Sequence, residues 1–178
     1  MSIARTWGTT PAERARPYAC DALLPHGDEL YRGVDVAAPA AVTFRRLCQL
    51  RVAPYSYDWL DNGFRPSPRA LTDGADDLAV GQRVMTIFSL VDFTRDEHVT
   101  LRMTSRGERT FGNVAVTYAV VPVTATSCRL LAKLRWQHAP GRWGALRARL
   151  LAWGDLIMMR KQLLTLARLA EADAARNI

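Results

Sequence analysis

The chain has 178 residues, of which 49% are hydrophobic and 23% are charged, and its formal net charge is +7. This length and balance fit one globular domain that needs no metal or disulfide to support its core, and they exclude a disordered chain, a collagen-like chain and a disulfide mini-protein. Apolar runs such as 156–159 fall far short of the roughly 18 residues that span a bilayer.

The positive charge is concentrated in one stretch of the sequence. Between Arg129 and Arg168 there are nine basic residues and one acidic residue, Asp155. Such a stretch can attract nucleic acid, an anionic lipid surface or an acidic ligand, and it can equally form a solvated arginine-rich surface. Charge alone does not choose between these interpretations.

The cysteines and the N-terminus indicate the compartment. Cys20, Cys48 and Cys128 are irregularly spaced, and an odd number of cysteines without a CxxC pair disfavours both a disulfide framework and a zinc site. Residues 1–11 contain one arginine and no apolar segment of the kind that a secretory signal requires. We therefore expect reduced thiols and a cytoplasmic location.

The first part of the chain predicts an arm followed by a strand. Residues 1–27 are rich in proline, glycine, alanine and arginine, which predicts an N-terminal arm lying on a domain of residues 28–175. The strand covers residues 30–36 and alternates between two faces. One face carries Leu30, Arg32, Val34 and Val36.

Two prolines mark the short helices that we expect after this strand. Pro39 suits the first turn of a helix that runs to about residues 47–50. Pro54 suits the first turn of a second helix, which carries the aromatic stretch 55–59. The turn signal at 61–63, which contains Asn-Gly, ends that helix.

Four later segments predict strands. Apolar and polar residues alternate in 98–104 and 128–136, whereas 82–90 is apolar on both faces and 113–121 is rich in β-forming residues; short polar turns such as 95–97 and 105–107 join these runs of 7–10 residues. This pattern is typical of an antiparallel meander. The segments are 82–90, 98–104, 113–121 and 128–136.

The C-terminal part predicts one long helix from about residue 143 to 172, because it lacks proline and is dense in Leu, Ala, Met and Arg. Two apolar stripes run along it, which predicts burial over a broad arc. Only this helix is long enough to cover the apolar face of the sheet, so we expect an α+β fold in which a curved antiparallel sheet wraps around it. The stripes are Leu156, Met159, Leu163, Leu166 and Ala170, and Leu146, Leu150, Trp153, Ile157 and Leu164.

This order of elements resembles the helix-grip fold of the START-like, Bet v 1-like superfamily (SRPBCC), which includes polyketide cyclase/dehydrase and lipid transport proteins. The resemblance covers residues 29–172. It rests on the strand 34–36 running through Ala-Pro into a helix, on the meander, and on residues 155–164 of the closing helix. The stretch 53–62 resembles a bacterial branch of the superfamily.

The resemblance implies a class of function but transfers no catalytic residue. In such folds the sheet grips the long helix around a hydrophobic cavity, which takes lipids, sterols, quinones, polyketides or other flat apolar molecules. Some members carry out chemistry there, and many only bind or carry the ligand. Because the superfamily has no universal catalytic set, the catalytic residues remain unassigned.

The aromatic stretch 55–59 is the leading candidate for the polar end of a ligand site. On a helix, Tyr55 shares a face with Trp59 and meets Asp58, and a phenol beside a carboxylate can orient a ligand or relay a proton. The alternative is that these aromatics pack the helix onto the sheet. Met85, Trp136 and Met159 are candidate wall residues, and His138 is a candidate acid or base at the cavity mouth. The full set of candidate cavity residues is Tyr55, Tyr57, Asp58, Trp59, Met85, Trp136, His138 and Met159.

Other site chemistry has little support in the sequence. His26, His98 and His138 lack metal-ligand spacing, and P-loop, GxGxxG and GxSxG motifs are absent, so we expect no metal and no cofactor. The methionines can also be plain core residues.

Three functions follow, in order of preference. The first is binding, with transport or presentation included, of a small hydrophobic or amphipathic molecule in an internal cavity. The second is a polyketide cyclase, aromatase or dehydratase that uses the same cavity. The third is a peripheral module that contacts a membrane or nucleic acid through residues 129–168. Basic and aromatic residues do not interleave there on one polar face, so nucleic acid is not the expected partner; membrane contact and oligomeric state stay open.

Overall fold

A six-stranded antiparallel sheet and one long helix dominate the residues that the computed structural model describes, namely 2–57, 59, 63–137 and 144–176. For residues 144–148 only the helical backbone is described. The elements in chain order are α1 (Ile3–Thr6), α2 (Pro11–Ala15), α3 (Cys20–Leu23), β1 (Asp28–Val36), α4 (Ala40–Cys48), a 3-10 turn (Gln49–Arg51), β2 (Arg83–Val84), β3 (Phe88–Thr94), β4 (His98–Met103), α5 (Ser105–Phe111), β5 (Asn113–Thr124), β6 (Ser127–Gln137) and α6 (Gly144–Arg176).

The strands lie in the order β1-β6-β5-β4-β3-β2. β1 pairs with β6 along its whole length, from Asp28 opposite Trp136 to Val36 opposite Cys128. Because side chains alternate along each strand, the inner face of the sheet is apolar, and α6 packs against it. This arrangement confirms the predicted α+β helix-grip fold. The inner-face core includes Leu30, Val34, Leu101, Val116, Val120, Leu130 and Leu134.

The long helix α6 confirms one of its two predicted apolar stripes and leaves three residues of the other exposed, while Leu164 of that second stripe packs against the core. The stripe from Leu156 to Ala170 is buried against the sheet and α4. In the second stripe, Leu150, Trp153 and Ile157 are 65%, 43% and 54% exposed. The prediction of burial over a broad arc is therefore wrong at these three residues, because the sheet covers one side of the helix and no described element covers the opposite side there.

The N-terminal segment wraps around the edge strand β1, from the long helix α6 to the outer face of the sheet. Thr6 and Trp7 form parallel bridges with Tyr31 and Arg32, so the segment runs beside the edge strand β1. Gly8 has φ +72°, and a Cβ placed there would lie 2.0 Å from the carbonyl oxygen of Gly33. The close approach of the N-terminal segment to β1 therefore requires glycine at this position. Behind it, a small core forms from Tyr18, Cys20, Leu24, Tyr31, Ala115, Ala119 and Leu131.

Two short helices follow β1, but both fall in the span predicted for the first helix, and Pro54 does not open the predicted second one. Residues 53–57 are not helical, and Tyr55 has φ 56°. The carbonyl of Pro54 accepts a hydrogen bond from Gln162 instead of from a following helical turn. The short helices are α4 and the 3-10 turn that continues it.

Two other local predictions also differ from the structure. Residues 82–90 do not form one strand, because Met85 (φ 47°) and Thr86 (φ 66°) turn the chain between β2 and β3. Residues 105–107 are not a turn but the start of α5, whose first turn includes a hydrogen bond from the Glu108 amide to the Thr104 carbonyl. Gly112, at φ 87°, ends that helix.

Candidate ligand site between the sheet and the long helix

A hydrogen-bonded pair of polar side chains lies in the apolar interior between the sheet and α6. Alternation along β5 places Tyr118 on the inner face, between Val116 and Val120. Its hydroxyl donates to Gln162 Oε1 of α6 at 2.7 Å. Both side chains are buried. Burial first, and then the charge of Asp155, raise the pKa of the Tyr118 hydroxyl, so it acts as a neutral donor.

The amide of Gln162 connects three parts of the chain. Its Nε2 donates to the Pro54 carbonyl at 2.7 Å and lies 3.2 Å from Met85 Sδ. Met159 Sδ lies 3.5 Å from the Tyr118 hydroxyl. The structure thus brings two of the predicted wall residues, Met85 and Met159, together around the Tyr118–Gln162 pair. Both thioethers are adaptable, so the walls of this cluster can change shape.

A second polar pair lies nearby under α6. Arg32, on the inner face of β1, is fully buried, and its Nη2 lies 2.7 Å from Asp155 Oδ2. Its Nη1 donates to the Tyr31 carbonyl at 2.8 Å, while its Nε has no hydrogen-bond partner among the described residues. Burial raises the pKa of the Asp155 carboxyl, and the charge of Arg32 opposes this rise.

Beside Tyr118 there is a small apolar cavity. Its volume is about 10 Å³, which is room for about one water molecule. A larger ligand at this point therefore needs displacement of wall side chains. The lining includes Leu47, Cys48, Leu50, Val84, Leu90, Leu101 and Tyr118.

The predicted aromatic cluster is divided between the interior and the surface. Tyr55 is buried, with its amide donating to Ser67 Oγ at 3.2 Å. Trp59 is 60% exposed, and its ring meets the ring of Tyr57 edge-on with centroids 6.4 Å apart. Tyr55 and Trp59 therefore do not share a buried face. Asp58, the proposed partner of Tyr55, lies outside the described residues.

The remaining predicted site residues are Trp136 and His138. Trp136 is buried on β6, and its Nε1 donates to the Phe111 carbonyl at 2.7 Å. Its polar edge therefore holds the end of α5, while its ring contributes to the core. His138 lies outside the described residues.

Sequence patterns did not identify the four polar residues of this interior as site residues, although two of them carried a signal. Arg32 had been placed on the apolar face of its strand, and a cation there needs a buried partner. Gln162 is a polar residue next to the buried stripe of α6, between Met159 and Leu163. Tyr118 and Asp155 had no comparable signal, since tyrosine is ordinary in a strand and an acid is ordinary on a helix.

The structure also bears on metals and on membrane spans. Within the described ranges, no group of three or more His, Cys, Asp or Glu side chains is arranged to hold a metal ion. None of the helices in those ranges is both long and apolar enough to cross a membrane.

Comparisons with known proteins find similarity in structure only. No family model and no curated protein matches this sequence. Norcoclaurine synthase from Thalictrum flavum superposes with a TM-score of 0.54 at 15% identity, covering 88% of this chain and 93% of the synthase. A protein from Nitrosospira multiformis has a TM-score of 0.50 at 16% identity, covering 84% of this chain and 100% of its own. At such identities the likeness is one of fold, and this chain has the Bet v 1-like helix-grip fold.

Proposed function

We propose that the protein binds a small, largely apolar molecule between the sheet and α6, with Tyr118 and Gln162 holding its polar end. The observation that carries this proposal is the buried phenol–amide pair, which is enclosed by apolar side chains and two thioethers. Such a pair can exchange its mutual hydrogen bond for bonds to a ligand hydroxyl or carbonyl. Burial of the ligand's apolar surface supplies about 25 cal/mol per Å².

Ligand entry is expected to move the two segments that Gln162 holds. Tyr55 follows Pro54 directly, and Met85 lies on the other segment; both adopt positive φ angles of 56° and 47°. A non-glycine residue in this region costs about 1–3 kcal/mol, and such strain is typical of ligand clamps. Releasing it offsets part of the cost of opening the interior.

Native mass spectrometry of the purified protein, followed by extraction of any bound molecule, tests the proposal. We expect an apolar adduct that is lost on denaturation. Tyr118→Phe should weaken its binding about 3- to 10-fold, since it removes one buried hydrogen bond. Tyr18→Phe is the matched control, because it removes a hydroxyl bond on the outer face of the sheet. A clean mass with no uptake of lipids, quinones or polyketides would count against binding.

Catalysis of the polyketide cyclase, aromatase or dehydratase type is the second candidate. Asp155 favours it, because an interior carboxyl with a raised pKa can transfer protons. Incubation with a poly-β-ketone substrate and mass analysis of the product separates the two functions. If Tyr118→Phe lowers turnover more than it lowers binding, the protein is an enzyme. If the poly-β-ketone is recovered unchanged, the protein only binds it.

The third candidate function, contact with a membrane or nucleic acid through residues 129–168, is supported by the cations of α6 but not by those of β6. On β6, Arg129 pairs with Glu13 at 2.7 Å and with Asp35 at 3.0 Å. Lys133 lies 2.6 Å from Asp21, and Arg135 lies 2.7 Å from the same carboxylate. These strand cations are neutralised within the protein. On α6, by contrast, Arg149, Arg160 and Lys161 are exposed.

A further inference from the structure

The solvent-facing side of α6 carries an apolar strip that no described element covers. The strip consists of Leu150, Trp153 and Ile157, which are 65%, 43% and 54% exposed. With 100° per residue they fall within an arc of about 60°, and they extend over about 10 Å of helix. A helix that packs one side on a sheet normally presents polar residues on the other.

Cations border this strip on both sides. By helical geometry, Arg149 and Arg160 lie on one flank and Lys161 lies on the other, and all three are exposed. Asp155 is the only acidic residue between positions 149 and 170. It points inward and is bonded to Arg32 at 2.7 Å. The exposed surface of this part of α6 is therefore both apolar and positively charged.

The N-terminal segment lies next to α6. Helix α1 lies beside α6, and its Ile3 is 58% exposed. The guanidinium carbon of Arg160 lies 5.6 Å from the ring centre of Trp7. The N-terminal segment therefore contacts α6 on the flank that carries Arg160.

We propose that the α6 face (Leu150, Trp153, Ile157, Arg149, Arg160 and Lys161) docks onto an anionic bilayer surface. Lying parallel to the membrane, the helix places Leu150 and Ile157 in the acyl boundary and Trp153 at the headgroup level. The flanking cations meet lipid phosphates. This mode of contact requires no spanning segment, and it does not depend on the interior ligand site.

The chemistry of the α6 face favours an anionic bilayer over a second copy of the chain and over nucleic acid. A second copy of the chain, related by a two-fold axis, would bring the same cations face to face without an acid to pair them. Nucleic acid would satisfy the cations through its phosphates. It would leave the aliphatic side chains of Leu150 and Ile157 without an apolar partner.

Co-sedimentation of the full chain with vesicles tests the proposal. We expect binding to phosphatidylcholine vesicles that contain phosphatidylglycerol, little binding to phosphatidylcholine alone, and weakening by salt. Lys161→Ala should lower the partition coefficient about five-fold, and Ile157→Asp at least about ten-fold. Arg102→Ala and Val123→Asp are matched controls at exposed positions of the sheet and should leave binding unchanged.

Several results would overturn this inference. They are no binding to the anionic vesicles, equal losses in the control variants, a dimer that Ile157→Asp dissociates, or a DNA complex that is tighter than the vesicle complex. All four substituted side chains are exposed, so thermal unfolding of each variant should match that of the parent chain. An absence of vesicle binding would leave the interior ligand site untouched, because native mass spectrometry tests that site separately.

Discussion

The buried pair of Arg32 and Asp155 yields a prediction at the scale of single residues. Asp155→Asn leaves the guanidinium charged and without its counter-ion in the interior. We expect this change to lower the free energy of unfolding by about 3–5 kcal/mol. The double variant Arg32→Met/Asp155→Leu removes both charges and should stay within about 2 kcal/mol of the parent chain. Urea unfolding of the three proteins measures this, and equal losses in the single and double variants would contradict it.

The same pair shows how far the sequence determines an interior site. Strand alternation predicted that Arg32 shares a face with Leu30 and Val34, and it does. Its partner Asp155 is 123 positions away, and only the packing of α6 on β1 brings the two together. The bond between Tyr118 and Gln162 spans 44 positions. Local patterns place each residue on a face, whereas pairing depends on the rotation of the helix against the sheet.

At the scale of elements, carboxylates hold the N-terminal segment to the sheet. Burial alone would raise the pKa of Asp21, but hydrogen bonds from Lys133, the Tyr18 amide and Arg135 outweigh burial and lower it. Because the pKa of Asp21 is lower in the folded state, its carboxylate stabilises the protein at pH values above the unfolded-state pKa, near 3.8. This contribution disappears as the pH falls through the folded-state pKa.

We therefore expect Asp21→Asn to lower the free energy of unfolding by about 1–2 kcal/mol at pH 7. The difference from the parent chain should shrink as the pH falls below about 4, because the carboxyl of the parent then becomes protonated. Urea titrations at pH 7 and pH 3 compare the two proteins. Asp73→Asn, at an exposed position, is the control, and a loss of equal size at both pH values would contradict the proposed role of the Asp21 charge.

Regular elements were predictable where a periodic pattern had a single interpretation. The alternation of β4 and β6 and the buried stripe of α6 are such cases. The turn at Met85 and Thr86 was not, because neither residue type signals a positive φ. The exposure of Leu150, Trp153 and Ile157 was also unpredictable, since periodicity shows that a stripe is apolar but not which surface covers it.

At the scale of the whole molecule, the sheet is covered on both faces where β1, β6 and β5 lie. Helix α6 buries the inner face, and the N-terminal segment buries Tyr31, Ala115 and Leu131 on the outer face. The same segment pairs with the edge of β1 through Thr6 and Trp7. It therefore protects both an apolar patch and an unpaired strand edge, each of which promotes association when exposed.

A chain that lacks residues 1–27 should consequently be less stable and self-associate. Removing the segment exposes the outer-face core and also removes Glu13 and Asp21, the counter-ions of Arg129 and Lys133. Sedimentation velocity over a range of concentrations should show species larger than those of the full chain. A peptide of residues 1–27 added in trans should restore the sedimentation of the full chain, whereas a peptide with Tyr18→Ser and Leu24→Ser should not. A truncated chain that keeps the sedimentation and stability of the full chain would show that the segment is dispensable to the domain.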